Sequence, residues 1–234
     1  MLSKSLRTIS VRTMNKSVIG YSLLAIIAIV VLEKVFGFDY IPKQILRISL
    51  FLIIPMIGIY VLRKSNIKKE IRYQKPTLKE LRVPLLIGIV IFIGTLGGYF
   101  IFQFMFEAEG VIEGAQKLGI TPGNVLIWGF YLSFINSLVE EFFFRGYIFF
   151  SLEKRSYTLA VIVSGLLWAI YHVVIFDTIF ELYTMVFTII GLFIIGVLLA
   201  YINRYGKSFI NSWIVHIFAD IAVVIIVLYM YTLV

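Results

Sequence analysis

The stretch SLVEEFFFRGYIFFSLEK, residues 137–154, places three charged side chains inside an otherwise apolar and aromatic run. Glu140 and Glu141 are adjacent, and Arg145 follows four residues after Glu141. A charge at the centre of a membrane-spanning helix costs roughly 2.5–3.5 kcal/mol on insertion scales, so such residues face the interior of a helix bundle and usually have a function there. The stretch therefore predicts a buried polar cluster in a helical membrane protein.

The composition of the whole chain supports this prediction. Its 234 residues are 61% hydrophobic and 16% aromatic, with a mean hydropathy of +0.99, whereas an ordinary soluble domain is roughly 45–50% apolar. Cysteine is absent, which excludes disulfides, thiolate nucleophiles, cysteine-ligated zinc and iron–sulfur clusters. The net charge of +8 comes from basic segments between apolar spans. Orientation in a lipid bilayer explains such segments, and no nucleic-acid partner is expected.

Apolar stretches of about 20 residues are long enough to cross a bilayer as helices. The sequence therefore predicts an all-α polytopic membrane protein with about seven transmembrane helices, seven to eight in all. In the third stretch, Gly94 and Gly98 form a G-x-x-x-G pattern that permits close helix approach. The seven stretches are 18–36, 45–62, 83–106, 123–152, 156–176, 182–203 and 208–234.

Charges in the connections predict the orientation. Residues 63–82 carry eight Lys or Arg against two Glu, and residues 1–17 form a second basic segment. Basic residues accumulate on the cytoplasmic side, so we expect a multi-pass protein of the cell membrane with a cytoplasmic N-terminus at residues 1–17. The connections on the other side lean acidic, with Asp39, Glu107, Glu109, Glu113, Asp177 and Glu181.

Six ionisable residues lie within the predicted spans once loops and helix ends are set aside. Glu141 and Arg145 are four residues apart, as are His216 and Asp220, so each pair shares one helix face. Glu140 projects about 100° away from Glu141 and faces something else. The six are Glu140, Glu141, Arg145, His172, His216 and Asp220.

Neighbouring residues and depth refine the expectation. Asn136, one turn before Glu140, is placed to hydrogen-bond it. At 1.5 Å per residue from the basic boundaries, Glu140 and Asp220 lie about 20 Å deep, His216 about 14 Å and His172 about 26 Å. A common site for these residues therefore requires tilt, a broken helix or a different membrane boundary.

Hydrolysis of a peptide bond inside a membrane is one chemistry that uses this set. Glu140 suits a general base for water. His172 is placed to share that water or to protonate the leaving amine, and His216 to donate a hydrogen bond to the oxyanion. No serine nucleophile elbow and no H-E-x-x-H motif occurs.

Metal-assisted hydrolysis is the competing chemistry. Glu140, His172 and His216 provide one carboxylate and two imidazoles, a ligand set of zinc hydrolases. Three carboxylates and one arginine leave the cluster at −2, which either a divalent cation or shared protons relieve. We expect no cofactor, and a divalent metal such as zinc on these three residues stays open.

Three ordered motifs resemble the signature of the CPBP family, the CAAX proteases and bacteriocin-processing enzymes, also called Abi proteins. They are E-E-x-x-x-R at Glu140 to Arg145, W-x-x-x-H at Trp168 to His172, and H-x-x-x-D at His216 to Asp220. The resemblance covers residues 140–220 and implies a signature core at 123–234 within a single membrane domain at 18–234.

The resemblance implies an endopeptidase, a hydrolase acting on a membrane-associated protein or peptide. In it Glu140 and His172 activate water, His216 and Asp220 stabilise the oxyanion, and Arg145 holds the glutamates. The prenyl-protein branch, which is similar to a metal-independent glutamate protease, has Asn at the position of Asp220. An ionised Asp has no proton to donate, so Asp220 is expected to orient His216 or to stay protonated.

Two other functions compete with proteolysis. One is a non-catalytic membrane partner or bacteriocin-immunity-type protein that keeps the cluster for structure. The other is a transporter with a carboxylate relay, against which stand an odd number of predicted helices and the lack of an inverted repeat.

Overall fold

The chain folds into a bundle of helices. The computed structural model describes the backbone of residues 2–35, 40–117, 119–176 and 182–234 and, within these ranges, the side chains of residues 15–32, 35, 41–117, 119–172 and 182–234. The described ranges contain no strand, which confirms the all-α prediction. The acidic residues Asp39, Asp177 and Glu181 lie outside the described residues.

Eight longer helices and a one-turn helix at Ile67–Glu70 organise the described chain, and six of the longer ones are long and apolar enough to cross a membrane: α1, α2, α3, α5, α7 and α8. In α6 the apolar stretch with described side chains is the shorter Tyr157–His172. Each of the seven predicted spans therefore coincides with a helix, and the ends differ by a few residues except at α1, which begins at Leu2 rather than at residue 18. The helices are α1 Leu2–Lys34, α2 Ile41–Leu62, α3 Leu78–Phe102, α4 Ala108–Lys117, α5 Val125–Glu153, α6 Tyr157–Phe176, α7 Leu182–Gly206 and α8 Ile210–Met230.

The outer surface of the bundle is apolar, as lipid contact requires. On α3, Leu86, Val90 and Ile93 are each more than 60% exposed. Exposed apolar surface of this extent is not tolerated in water, whereas lipid tails accept it. The chain is thus a multi-pass membrane protein, and its polar groups are concentrated inside.

Helix α5 lies at the centre of the bundle and contacts α1, α2, α6, α7 and α8. Every residue from Val139 to Leu152 is buried. Phe51 of α2 stacks on Phe143 of α5, with ring centroids 4.1 Å apart and planes 4° from parallel. The wider π-type turns at Tyr131–Asn136 and Phe142–Phe149 interrupt regular α geometry on both sides of Glu140, and such turns often occur at functional sites.

Helices α6 and α7 cross closely at a glycine pair. A Cβ added at Gly196 would lie 3.0 Å from Gly165 Cα, so a larger residue would require the two backbones to move apart. The close approach that Gly94 and Gly98 permit does not occur among the described residues, because no atom lies within 4 Å of a Cβ added at either position. Those two glycines face away from the packed interior.

A polar layer joins the basic connection after α2 to the end of α5. Arg63 Nη1 donates to Ser151 Oγ at 2.9 Å, and Lys154 Nζ lies 2.5 Å from Glu70 Oε2. Partial burial acts to raise the pKa of Glu70, but the hydrogen bond and charge of Lys154 outweigh it and hold that pKa below its usual value. The layer therefore anchors the connection to the buried helix.

Candidate active site

Glu140 is buried in the middle of α5 and accepts two hydrogen bonds from neutral groups. Asn136 Nδ2 donates to Oε1 at 2.9 Å, as the one-turn spacing predicted, and Trp168 Nε1 of α6 donates to Oε2 at 3.0 Å. These bonds fix the orientation of the carboxylate from two helices. Each oxygen keeps lone-pair capacity for a further partner.

His172 of α6 faces the same carboxylate. Its Nδ1 lies 2.8 Å from the Trp168 carbonyl oxygen. A carbonyl only accepts, so Nδ1 carries the proton and Nε2 of the neutral ring carries a lone pair. Nε2 lies 3.8 Å from Glu140 Oε2, which is too long for a direct hydrogen bond and suits one intervening water.

Glu141 lies in a separate, fully enclosed set of contacts. Its Oε1 is 2.8 Å from Arg145 Nη1 and 3.0 Å from His216 Nδ1, and its Oε2 accepts from Ser212 Oγ. Glu141 and Arg145 have no exposed surface. The predicted i, i+4 pair is therefore present, and it joins α5 to α8.

His216 lies between two carboxylates. Its Nε2 is 3.5 Å from Asp220 Oδ1 on the same helix face, and its Nδ1 donates to Glu141. Trp168 separates the two halves of the cluster, because its ring centroid is 4.6 Å from that of His172 and 5.5 Å from that of His216. The six predicted residues thus meet around one tryptophan.

Arg47 of α2 joins the cluster and was missing from the sequence prediction. Its Nη1 lies 3.9 Å from Glu140 Oε1, and Arg47 is only 6% exposed. The predicted span began at residue 45, which placed Arg47 at a helix end, whereas α2 begins its apolar run at Ile41. The signal that the sequence offered was a single arginine between Leu46 and Ile48.

The second arginine changes the charge balance of the cluster, for which the sequence had left open either a divalent cation or shared protons. Three carboxylates and two guanidinium groups sum to −1, and a doubly protonated His216 brings the sum to zero. Both ring nitrogens of His216 face carboxylates rather than a site shared with Glu140 and His172. Within the described ranges, no group of three or more acidic or imidazole side chains is arranged to hold a metal ion.

A groove of about 370 Å³ lies between α2 and α5, lined in part by the exposed side chains of Ile45 and Ile127. Its lining is apolar and includes Ile48 and Trp128, with Tyr131 at one side. Tyr131 Oη donates to Gln44 Oε1 at 3.2 Å and accepts from Arg47 Nη2 at 3.4 Å. The groove therefore borders the polar cluster through one tyrosine.

Comparison with known proteins agrees with the motifs. Residues 122–222 match the family model described as Type II CAAX prenyl endopeptidase Rce1-like, which confirms the resemblance to the CPBP family. No curated protein and no solved structure gives a significant match. The matched region contains all six predicted site residues and omits Arg47. It supports a CAAX-type intramembrane protease, a hydrolase with a membrane-associated substrate.

Proposed function

Because residues 122–222 share the family of the Rce1-like CAAX prenyl endopeptidases, we propose that the chain is an intramembrane endopeptidase in which Glu140 activates the attacking water. The observation that carries this proposal is the 3.8 Å separation of Glu140 Oε2 from His172 Nε2 at a buried site. A water with hydrogen bonds of about 2.8 Å to both atoms would subtend an angle of about 85°, which a water molecule accepts.

The reaction follows from the roles of the two groups. The water donates its hydrogens to Glu140 Oε2 and to the His172 Nε2 lone pair, so its oxygen lone pair is free to attack. Glu140 takes one proton as the water oxygen bonds to the peptide carbon, which forms a tetrahedral oxyanion. The carbon–nitrogen bond then breaks, and the proton passes from Glu140 to the leaving nitrogen, giving a carboxylic acid and an amine. Neither metal nor nucleophilic side chain is required.

The Glu141 contacts support this site without reacting in our proposal. Glu141 is bonded to Arg145, His216 and Ser212, which leaves it little capacity to accept a proton from water. His216 and Asp220 lie on the opposite side of Trp168 from His172, and Asp220 orients the imidazole of His216 in our proposal. This assignment is compatible with Asp220 in place of the Asn of the prenyl-protein branch, because a residue that orients His216 by accepting does not need to donate a hydrogen bond.

The substrate that we propose is a membrane-associated protein or peptide with an apolar segment. The apolar groove between α2 and α5 supports this choice, because exposed apolar residues such as Ile45 and Ile127 line it and Tyr131, which accepts from Arg47, borders it. The basic connections favour an N-terminus in the cytoplasm. A farnesylated peptide that ends in a CAAX sequence is the first probe, since the family match includes prenyl-protein endopeptidases.

The test uses the full chain purified in detergent, with the farnesylated peptide and an unprenylated transmembrane peptide as probes and mass spectrometry as the readout. We expect Glu140→Gln to lower cleavage by roughly 10²–10⁴-fold while the protein stays folded. Glu113→Gln is the matched control, because Glu113 is an exposed glutamate paired only with Lys117 among the described residues.

Three outcomes would contradict the proposal. Cleavage by Glu140→Gln at the parent rate would remove Glu140 from the chemistry. Loss of cleavage with a chelator and its recovery with zinc would replace the carboxylate mechanism by a metal mechanism. If the parent cleaves neither peptide while it is folded, the non-catalytic membrane partner becomes the better function.

A further inference from the structure

Arg47 lies on α2, outside the matched region, and its guanidinium faces the carboxylate assigned as the base. We propose that Arg47 is a catalytic residue that stabilises the oxyanion formed during hydrolysis. This inference rests on the proposed endopeptidase function and adds a component that the six motif residues do not supply.

The surroundings of Arg47 differ from those of the other buried arginine. Arg145 donates directly to a carboxylate at 2.8 Å. Arg47 instead donates to two neutral hydroxyls, from Nη1 to Tyr171 at 3.1 Å and from Nη2 to Tyr131 at 3.4 Å. The Nε of either arginine has no hydrogen-bond partner among the described side chains and backbone groups, so the difference lies in the Nη groups. The long ion pair with Glu140 leaves the Arg47 guanidinium with donor capacity for a further anion.

The distance to Glu140 fits a group that acts on the substrate. Arg47 Nη1 lies 3.9 Å from Glu140 Oε1, close enough for strong attraction and too far for a hydrogen bond. The oxyanion is the former carbonyl oxygen of the peptide bond, and it is bonded to the same carbon as the oxygen of the attacking water. Our assignment places this oxyanion on the side of Glu140 that Arg47 faces, within reach of the guanidinium.

Charge moves in the direction that Arg47 favours. When Glu140 accepts the proton, its negative charge disappears and a new negative charge appears on the carbonyl oxygen of the substrate. Arg47 attracts the first charge before the step and the second charge after it. A donor fixed in a water-poor site stabilises such a developing charge without rearrangement.

The residue predicted for this role is occupied elsewhere. His216 was expected to donate to the oxyanion, but its Nδ1 donates to Glu141 and its Nε2 faces Asp220. Among the cationic groups that the structure describes at the site, Arg47 is the one without a carboxylate at hydrogen-bond distance. The oxyanion contact therefore passes from α8 to α2 in our assignment.

The test compares Arg47→Gln with Arg63→Gln in the peptide-cleavage assay. Arg63 lies just after α2 and also donates to a hydroxyl, that of Ser151, but it is far from the site along the helix. We expect Arg47→Gln to lower kcat about 10²–10³-fold, as loss of an oxyanion donor does, with KM within a few-fold of the parent. Arg63→Gln should retain the parent kcat.

Chemical rescue separates catalysis from folding. Arg47→Ala leaves a guanidinium-sized space, and we expect added methylguanidinium to restore part of its kcat. Arg47→Lys, which keeps the charge without the planar fork, should fall between Arg47→Gln and the parent. Lost cleavage that follows lost folded protein and is not rescued would mean a structural role and overturn the inference.

Parallel measurement of Glu140→Gln distinguishes the two proposals. If Glu140→Gln is inactive and Arg47→Gln cleaves at the parent rate, the oxyanion assignment fails and the endopeptidase function stands. If Glu140→Gln is as active as the parent, the proposed function itself fails, whatever Arg47 does.

Discussion

The Glu141–Arg145 pair allows a stability prediction with a defined magnitude. Both side chains are fully buried, and their atoms lie 2.8 Å apart. Replacing Arg145 by Met removes the guanidinium and leaves the Glu141 carboxylate with His216 and Ser212 as its remaining partners. Breaking a buried ion pair from one side costs about 3–5 kcal/mol, because the other charge stays buried.

This loss is large enough to measure by thermal unfolding in detergent. A change of 1 kcal/mol shifts Tm by roughly 2–4 °C for a chain of 150–250 residues, so we expect Arg145→Met to lower Tm by about 6–20 °C. The double variant Glu141→Gln with Arg145→Met should recover much of the loss. The neutral amide keeps one oxygen to accept from His216, its NH2 group can donate to Ser212 Oγ, and no unpaired charge remains.

The double variant therefore provides the decisive comparison. If it is as unstable as Arg145→Met alone, an uncompensated carboxylate is not the cause of the instability, and the reasoning is wrong. If Arg145→Met unfolds at the parent temperature, the pair does not stabilise the bundle at all. Glu113→Gln again serves as the control, since it changes an exposed glutamate on α4.

Two further predictions address packing and pH. Gly196→Ala should destabilise the chain by about 1–3 kcal/mol in the same unfolding assay, because the new methyl group meets Gly165. Gly94→Ala should be neutral or slightly stabilising, because its new methyl group meets nothing within 4 Å. Equal effects of the two substitutions would contradict the packing of α6 on α7. The pKa of Glu70 is lowered in the folded chain. Its contact with Lys154 therefore stabilises the fold at pH values above the usual glutamate pKa, and this stabilisation is lost as the pH falls through the lowered pKa. Glu70→Gln should flatten that part of a Tm-against-pH curve, and an unchanged curve would refute the linkage.

Much of the site was predictable because its signal is local. Exposing Glu140 or His216 to lipid is so unfavourable that an ionisable residue within a span indicates a position facing the interior of the helix bundle. The i, i+4 spacing of Glu141 with Arg145, and of Asn136 with Glu140, fixes neighbours on one helix face regardless of the rest of the fold. These contacts are present in the structure as the spacing predicted.

The contacts between helices were less predictable. The estimated depths of His172 and His216 disagreed because they assumed regular helices with known boundaries, whereas α5 contains wide turns around Glu140. The exposed G-x-x-x-G pattern at Gly94 and Gly98 looked like a packing motif, but the close crossing occurs at Gly165 and Gly196. Small residues permit close approach, and they do not choose the partner helix.

The amino-acid sequence by itself determined that the chain crosses the membrane repeatedly and that its acidic and imidazole residues lie inside the bundle, because hydropathy and helical spacing act over a few turns. Only the tertiary structure decided which of those groups face one another. It placed Trp168 between the histidines, directed both nitrogens of His216 to carboxylates and brought Arg47 to within 3.9 Å of Glu140. The physical reason is that packing between helices far apart in sequence fixes such distances. Arg47 and Glu140 are 93 positions apart, and no pattern in the sequence around either residue indicates their contact.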